Sequence, residues 1–247
     1  MIYSAVFFDA GETLVHPHPS FAELFARVLH REGHDVSPEL VHDRVHVVSD
    51  RFAEAARDEE LWTTSPEKSR AFWHSVYDIF LDDLEVPETA GLHEVLYGEF
   101  TDVSNYALFD DVMPVLERLR DADVTLGVVS NFEEWLERLL DALGVSPFFE
   151  VRVISGIEGM EKPDPRIFRL ALARAGVPAS RSVYVGDNPV FDVGPAAEIG
   201  MLPVLIDRRD RFPGFSSARI RTMADLPAAI GLDAAEDHVS RPVERAT

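Results

Sequence analysis

Apolar residues along this chain follow two rhythms, and the switch between them sets its organisation. Short unbroken apolar runs occur at Ala5-Val6-Phe7-Phe8, at 124–130, at 150–155, at Ser182–Gly186 and at Leu202–Ile206. Runs this short, bounded by turn formers, predict strands buried on both faces. Between the later runs the period lengthens to that of a helix. It does so over Val112–Asp121, then through Phe132, Trp135, Leu136, Leu139, Leu140 and Leu143, and again over Pro165–Ala175 and 193–200. Such alternation predicts an α/β fold: a Rossmann-like, doubly wound parallel sheet with helices on both faces.

The first two predicted strands are separated by a stretch too long for a simple crossover, and its rhythm is helical throughout. Ser20 with Glu23 forms a capping-box signature ahead of Phe21, Leu24, Phe25, Val28 and Leu29. Ser37-Pro38 supplies a cap and a first-turn proline before Val41, Val45, Val48 and Phe52. Ser65-Pro66 repeats the device before Phe72, Trp73, Val76, Tyr77, Phe80 and Leu84, and a further helix is predicted over 88–100. Residues 16–107 therefore read as an all-helical insert, and 1–15 with 108–247 as the sheet-bearing core. The last fifteen or so residues are polar, weakly patterned and expected to be disordered.

Composition narrows the partners. The 247 residues carry a formal net charge of −21, which repels nucleic acid and anionic membrane surfaces. No run approaches the length of a membrane span. The start lacks a basic leader and there is no cysteine, so disulfides, thiol nucleophiles and cysteine-ligated zinc are excluded and a cytoplasmic setting is expected. Nothing in the pattern sets an oligomeric state. Only two of the 23 basic residues are lysine, Lys68 and Lys162. A chain that otherwise uses arginine and places lysine at 162 suggests a need for a compact ammonium there, although Lys68 shows that chance is an alternative.

The chemistry gathers at strand ends. Asp9 closes the first run, Ser130-Asn131 the second, Lys162 follows the third, and Gly186-Asp187 with Asp192 closes the fourth. Singly, each has a plainer reading: Asp9 in a turn, Ser130-Asn131 capping a helix that starts at Phe132, Lys162 in a solvated loop, Asp192 as a helix cap. Together they address one edge of one sheet, where open α/β folds bind ligands. Paired carboxylates there make a hard oxygen site suited to Mg²⁺.

Phe7-Phe8-Asp9-Ala10-Gly11-Glu12-Thr13-Leu14, Val128-Val129-Ser130-Asn131, Glu161-Lys162-Pro163 and Val185-Gly186-Asp187 with Phe191-Asp192 resemble, in order and context, the motifs of the haloacid dehalogenase-like hydrolases, which are largely phosphatases. The insert lies where one large subgroup carries its helical cap. The resemblance implies an aspartyl-phosphate formed on Asp9 and Mg²⁺ held by Asp9, the Gly11 carbonyl and Asp187. It implies phosphate held by Ser130, the Asn131 N–H and the dipole of the following helix. Lys162 would stabilise phosphoryl oxygens and Asp9 together, and Asp192 would orient Lys162 or metal-bound water. The substrate implied is a small phosphorylated molecule, its identity set by the insert. There Arg51, Arg57, Trp62, Arg70, Trp73 and His74 are candidates to line a cleft, Trp62 as a contact and Trp73 as core.

One position departs from the pattern. Phosphatases of this kind carry a second aspartate two residues after the nucleophile, and here that residue is Gly11. Glycine keeps the carbonyl but offers no proton, and general acid–base help is worth about 10²–10⁴ in rate. Glu12, His16 or His18 are possible substitutes. The histidines rank slightly ahead, because on a helical turn Glu12 would point roughly 100° away. Alternatively the substrate has a good leaving group, an aryl or acyl phosphate, or the protein is slow or inactive and binds a phospholigand or a protein. Metal-free dehalogenation is disfavoured by the retained Asp187. Phosphonate cleavage would need an imine-forming lysine from the insert, for which Lys68 is the sole candidate.

Overall fold

The computed structural model describes residues 3–58, 60–87 and 91–233. The chain opens on β1 (Ala5–Phe8), buried along its whole length, then makes a tight turn into the short strand β2 (Val15–Pro17). Five helices follow: α1 (Phe21–Arg31), α2 (Pro38–Asp43), α3 (His46–Arg57), α4 (Pro66–Asp83) and α5 (Leu92–Phe100). Their starts obey local chemistry. The Ser20, Ser37 and Ser65 side chains each accept a backbone N–H of the first turn, and Pro38 and Pro66 occupy positions where no N–H is needed. The stripe expected from Val41 to Phe52 is two helices, because the chain turns at Arg44-Val45. The last insert helix begins at Leu92; residues 88–90 of the prediction lie outside the described residues.

The chain returns through β3 (Tyr106–Leu108), which pairs antiparallel with β2: Val15 faces Leu108 and Pro17 faces Tyr106. Neither short strand is announced by apolar runs. This two-stranded ribbon carries the chain into α1 and back from α5.

The remainder alternates as α6 (Val112–Asp121), β4 (Thr125–Ser130), α7 (Leu136–Ala142), β5 (Val151–Ile154), α8 (Ser155–Glu158), α9 (Pro165–Ala175) and β6 (Ser182–Gly186). A single π turn, Pro189–Val193, then leads to α10 (Gly194–Glu198), β7 (Leu202–Ile206), β8 (Arg219–Ile220) and α11 (Leu226–Ala229). The six-stranded sheet has the order β5-β4-β1-β6-β7-β8, all pairs parallel. It is an α/β Rossmann-like fold, with apolar clusters on both faces of the sheet and a third formed within the insert. The strand β8 is two residues long and escaped the apolar pattern. The polar tail expected to be disordered lies, from residue 234, outside the described residues.

One expectation fails near the site. The helix expected to start at Phe132 begins at Leu136, so Ser130-Asn131 cap nothing and no helix N-terminus stands at Asn131. Their side chains are engaged elsewhere, and the backbone turns through Phe132–Trp135 instead.

Candidate active site

The order of the sheet brings the acidic strand ends together. β1 lies between β4 and β6, so Asp9 at its end is flanked by Ser130 on one side and by Asp187 on the other. The Ser130 hydroxyl donates to Asp9 Oδ1 at 2.8 Å, and Lys162 Nζ donates to the same oxygen at 2.7 Å. Asp9 Oδ2 receives no hydrogen bond among the described residues, which leaves it the free oxygen of the carboxylate. Asp9, Asp187 and Asp192 each offer a carboxylate oxygen within 4.8 Å of the others. Gly11 borders the same cavity, and its carbonyl accepts no hydrogen bond among the described residues.

Lys162 is fixed from three directions. Its ammonium meets Asp192 Oδ1 at 2.6 Å and the Tyr184 hydroxyl at 3.1 Å, while its backbone is gripped by the Asn131 amide. Asn131 Oδ1 accepts the Lys162 N–H at 2.7 Å, and Asn131 Nδ2 donates to the Lys162 carbonyl at 2.8 Å. The Asn131 N–H itself donates to nothing among the described residues. Burial alone would lower the Lys162 pKa, but Asp192 and Asp9 outweigh it and raise the ammonium above its ordinary value. Asp192 is 1% exposed and also accepts the Asn188 N–H at 2.9 Å. It can approach because residue 186 is glycine: a Cβ there would stand 2.3 Å from the Asp192 carboxyl carbon.

Burial first, then the neighbouring Asp192 and Asp9 charges, push the Asp187 carboxyl up to about 7. Arg211 Nη2 answers it at 2.8 Å. Three clustered carboxylates that repel one another, joined by a free carbonyl and already drawing two protein cations, Lys162 and Arg211, fit a hard divalent ion. Asp9, Asp187 and the Gly11 carbonyl would hold it, with Asp192 committed to Lys162.

The candidate substitutes for the missing acid sort differently from expectation. The chain at Glu12 adopts a left-handed conformation, φ 55°, rather than a helical turn. Glu12 thereby reaches the cavity, where Arg209 meets its carboxylate at 2.8 Å. His16 packs its ring on Phe109 with centroids 4.5 Å apart, and neither it nor His18 borders the cavity. The histidines, ranked slightly ahead from sequence, are thus the ones away from the cavity, while Glu12 is at it but paired with Arg209. Lys68 is exposed, bonded to Thr64 and away from the cavity, which removes the imine chemistry. Asp192 sits inside the π turn, where Asn188 does the capping.

Above this cluster lies a cavity of about 830 Å³ walled by both core and insert. Of the insert candidates, Arg57, Trp62 and Trp73 border it, whereas Arg51, Arg70 and His74 do not. Trp73, expected to be core, is half-buried and part of the wall. Two carboxylates tie the core to the insert, a role the sequence did not reveal. Glu161, 3% exposed, accepts the Trp62 N–H at 3.1 Å, the Thr63 N–H at 2.7 Å and the Thr63 hydroxyl at 2.6 Å. Glu133 accepts the Ser69 and Tyr97 hydroxyls at 2.7 and 2.8 Å. Asp207 was missed too, although β7 ends on it as β1 ends on Asp9. It takes the N–H groups of Arg211 and Phe212 and so shapes the loop carrying Arg209 and Arg211.

Comparison with known proteins agrees with this geometry. The family model for haloacid dehalogenase-like hydrolases matches residues 3–200. Haloacid dehalogenase-like hydrolase domain-containing protein 3 of Danio rerio is 30% identical over 213 residues, 83% of this chain and 85% of that protein. A glyceraldehyde 3-phosphate phosphatase of Methanopyrus kandleri is 36% identical over 138 residues, 51% of this chain and 58% of that protein. Among solved structures, the putative hydrolase YfnB of Bacillus subtilis, bound to magnesium, superposes with a TM-score of 0.75 at 15% identity, covering 93% of this chain and 99% of that one. At that identity the likeness shows the fold alone.

Proposed function

The chain belongs to the haloacid dehalogenase-like hydrolases, and on that premise we propose that it is a Mg²⁺-dependent phosphohydrolase of a small phosphorylated molecule, working through an aspartyl-phosphate on Asp9. The observation that carries the reading is Lys162 bridging Asp9 and Asp192 beside the free Asp9 Oδ2. Oδ2 attacks phosphorus and the ester bond breaks, its electron pair leaving with the alcohol oxygen. Water then attacks the acyl-phosphate, releasing phosphate and restoring the carboxylate. The Lys162 ammonium, kept charged by its two carboxylates, holds Asp9 in place and faces the phosphoryl oxygens. The free Asn131 N–H holds those oxygens as well, and the Ser130 hydroxyl joins it once it turns its proton from Asp9 Oδ1. Mg²⁺, when bound, supplies the charge that lets two anions approach. The helical insert acts as a cap that excludes water from the cavity.

Phosphate release from an aryl phosphate tests this: turnover should require Mg²⁺ and vanish in Asp9→Asn. Metal-independent release, or release that survives Asp9→Asn, would defeat it. A second reading, a phospholigand-binding module with little turnover, draws on Gly11, which leaves no proton donor in the usual place. Saturable binding of phosphate esters with no release from any of them would favour it.

A further inference from the structure

We propose that the substrate is an aryl phosphate: a phosphate ester of a phenol-like hydroxyl whose ring fills the cavity between core and cap. The inference rests on the phosphohydrolase reading and joins two independent features, the chemistry missing at Gly11 and the character of the walls.

The walls are aromatic where a polar metabolite would need donors. Phe52, Trp62 and Trp73 from the insert face Phe132, Trp135 and Phe191 from the core across the cavity of about 830 Å³. Phe52 and Phe191 touch across the divide with ring centroids 6.4 Å apart. Most polar side chains on this wall are engaged within the protein. Thr63 gives its hydroxyl proton to Glu161, Ser69 and Tyr97 give theirs to Glu133, Thr101 to the Tyr97 carbonyl and Tyr106 to the Phe100 carbonyl. Arg209 and Arg211 are paired with Glu12 and Asp187. The exceptions among the described residues are exposed Ser49 and Arg57, the Tyr77 hydroxyl, and the buried indole N–H groups of Trp62 and Trp135, which sit within the aromatic rings themselves. A sugar or amino-acid phosphate would lose its water here and find few replacements, whereas a flat ring loses nothing polar and gains stacking surface.

The missing acid selects in the same direction. No side chain stands at Gly11, both nearby histidines lie outside the cavity and Glu12 is tied to Arg209. With Asp187 given to the metal, none of these groups is left to donate a proton, and the leaving oxygen departs as an anion. A phenol ionises at about 10, while an alkanol resembles water, at about 15.7. When Asp9 Oδ2 bonds to phosphorus, the P–O bond breaks with its electron pair on the phenolate, which takes its proton from water. The second step hydrolyses the aspartyl-phosphate to phosphate and free Asp9.

The test compares 1-naphthyl phosphate with 1-naphthylmethyl phosphate, which keeps the rings but leaves as an alkoxide, and with phosphoserine and glyceraldehyde 3-phosphate. The expected result is a kcat for naphthyl phosphate exceeding that for the naphthylmethyl ester by roughly 10²–10⁴, the usual worth of a proton donor. Gly11→Asp, where an added Cβ meets nothing within 4 Å, should narrow that gap at least about tenfold. In Asp9→Asn protein with Mg²⁺, calorimetry should show naphthyl phosphate binding at least about tenfold tighter than inorganic phosphate. Equal or better kcat/KM for phosphoserine or glyceraldehyde 3-phosphate would overturn the proposal. So would naphthyl phosphate binding no tighter than inorganic phosphate. Tight naphthyl phosphate binding with no turnover of any ester would sink the hydrolase reading while keeping the aryl phosphate as ligand.

Discussion

Lys162 is the residue on which both stability and chemistry converge. It is 2% exposed, held between Asp9 and Asp192, and its removal leaves two buried carboxylates facing each other. Breaking a buried ion pair in this one-sided way costs about 3–5 kcal/mol. Lys162→Met should therefore lower the unfolding free energy by about that amount in urea and abolish turnover. An unfolding midpoint equal to that of the wild type would show the ammonium to be dispensable. Gly186 is the quieter counterpart: a methyl group there would collide with the Asp192 carboxyl. Gly186→Ala should displace Asp192 and, through it, Lys162, with a loss of kcat that exceeds any change in KM. At this scale Asp9, Ser130, Lys162 and Asp187 were legible because each ends, or closely follows, an apolar run. Tyr184 was not, since a tyrosine inside a buried strand looks like core until its hydroxyl is seen against Lys162.

Elements explain what the sequence hid. The parallel strands and their helices follow from periodicity, but β2 and β3 are three residues each and carry no alternation worth reading. Helix α7 starts later than its apolar stripe because Phe132 and Trp135 pack on each other, 4.6 Å between centroids, in a turn ahead of it. The contact between insert and core was equally silent. Glu161 stands beside Lys162 in a motif that assigns it no role, yet it accepts three hydrogen bonds from the loop between α3 and α4. Charge-assisted bonds of this kind are worth about 1.5–3 kcal/mol each. Glu161→Gln should speed amide hydrogen exchange at Trp62 and Thr63 by roughly 10- to 100-fold and leave α9 unchanged. Unaltered exchange in that loop would mean that other contacts hold the insert down.

Across the whole molecule, the net charge of −21 makes the site a focus of repulsion as well as of chemistry. Asp187 is raised to about 7 in the metal-free protein, first by burial and then by Asp192 and Asp9. A carboxyl raised above its unfolded value contributes stability that is complete below the unfolded pKa and lost as pH rises through the folded one. The metal-free protein should thus lose thermal stability between about pH 4 and about pH 7, and Mg²⁺ should raise Tm more at the higher pH. A Tm gain independent of pH would place the ion elsewhere. The central claim, that Asp9 carries the phosphoryl group, is tested most directly by acid quench of the Mg²⁺-loaded protein during turnover of a labelled aryl phosphate, followed by peptide mapping. Label on the peptide containing Asp9, absent from Asp9→Asn, is the predicted result; turnover with no labelled protein, or label on another residue, would contradict it.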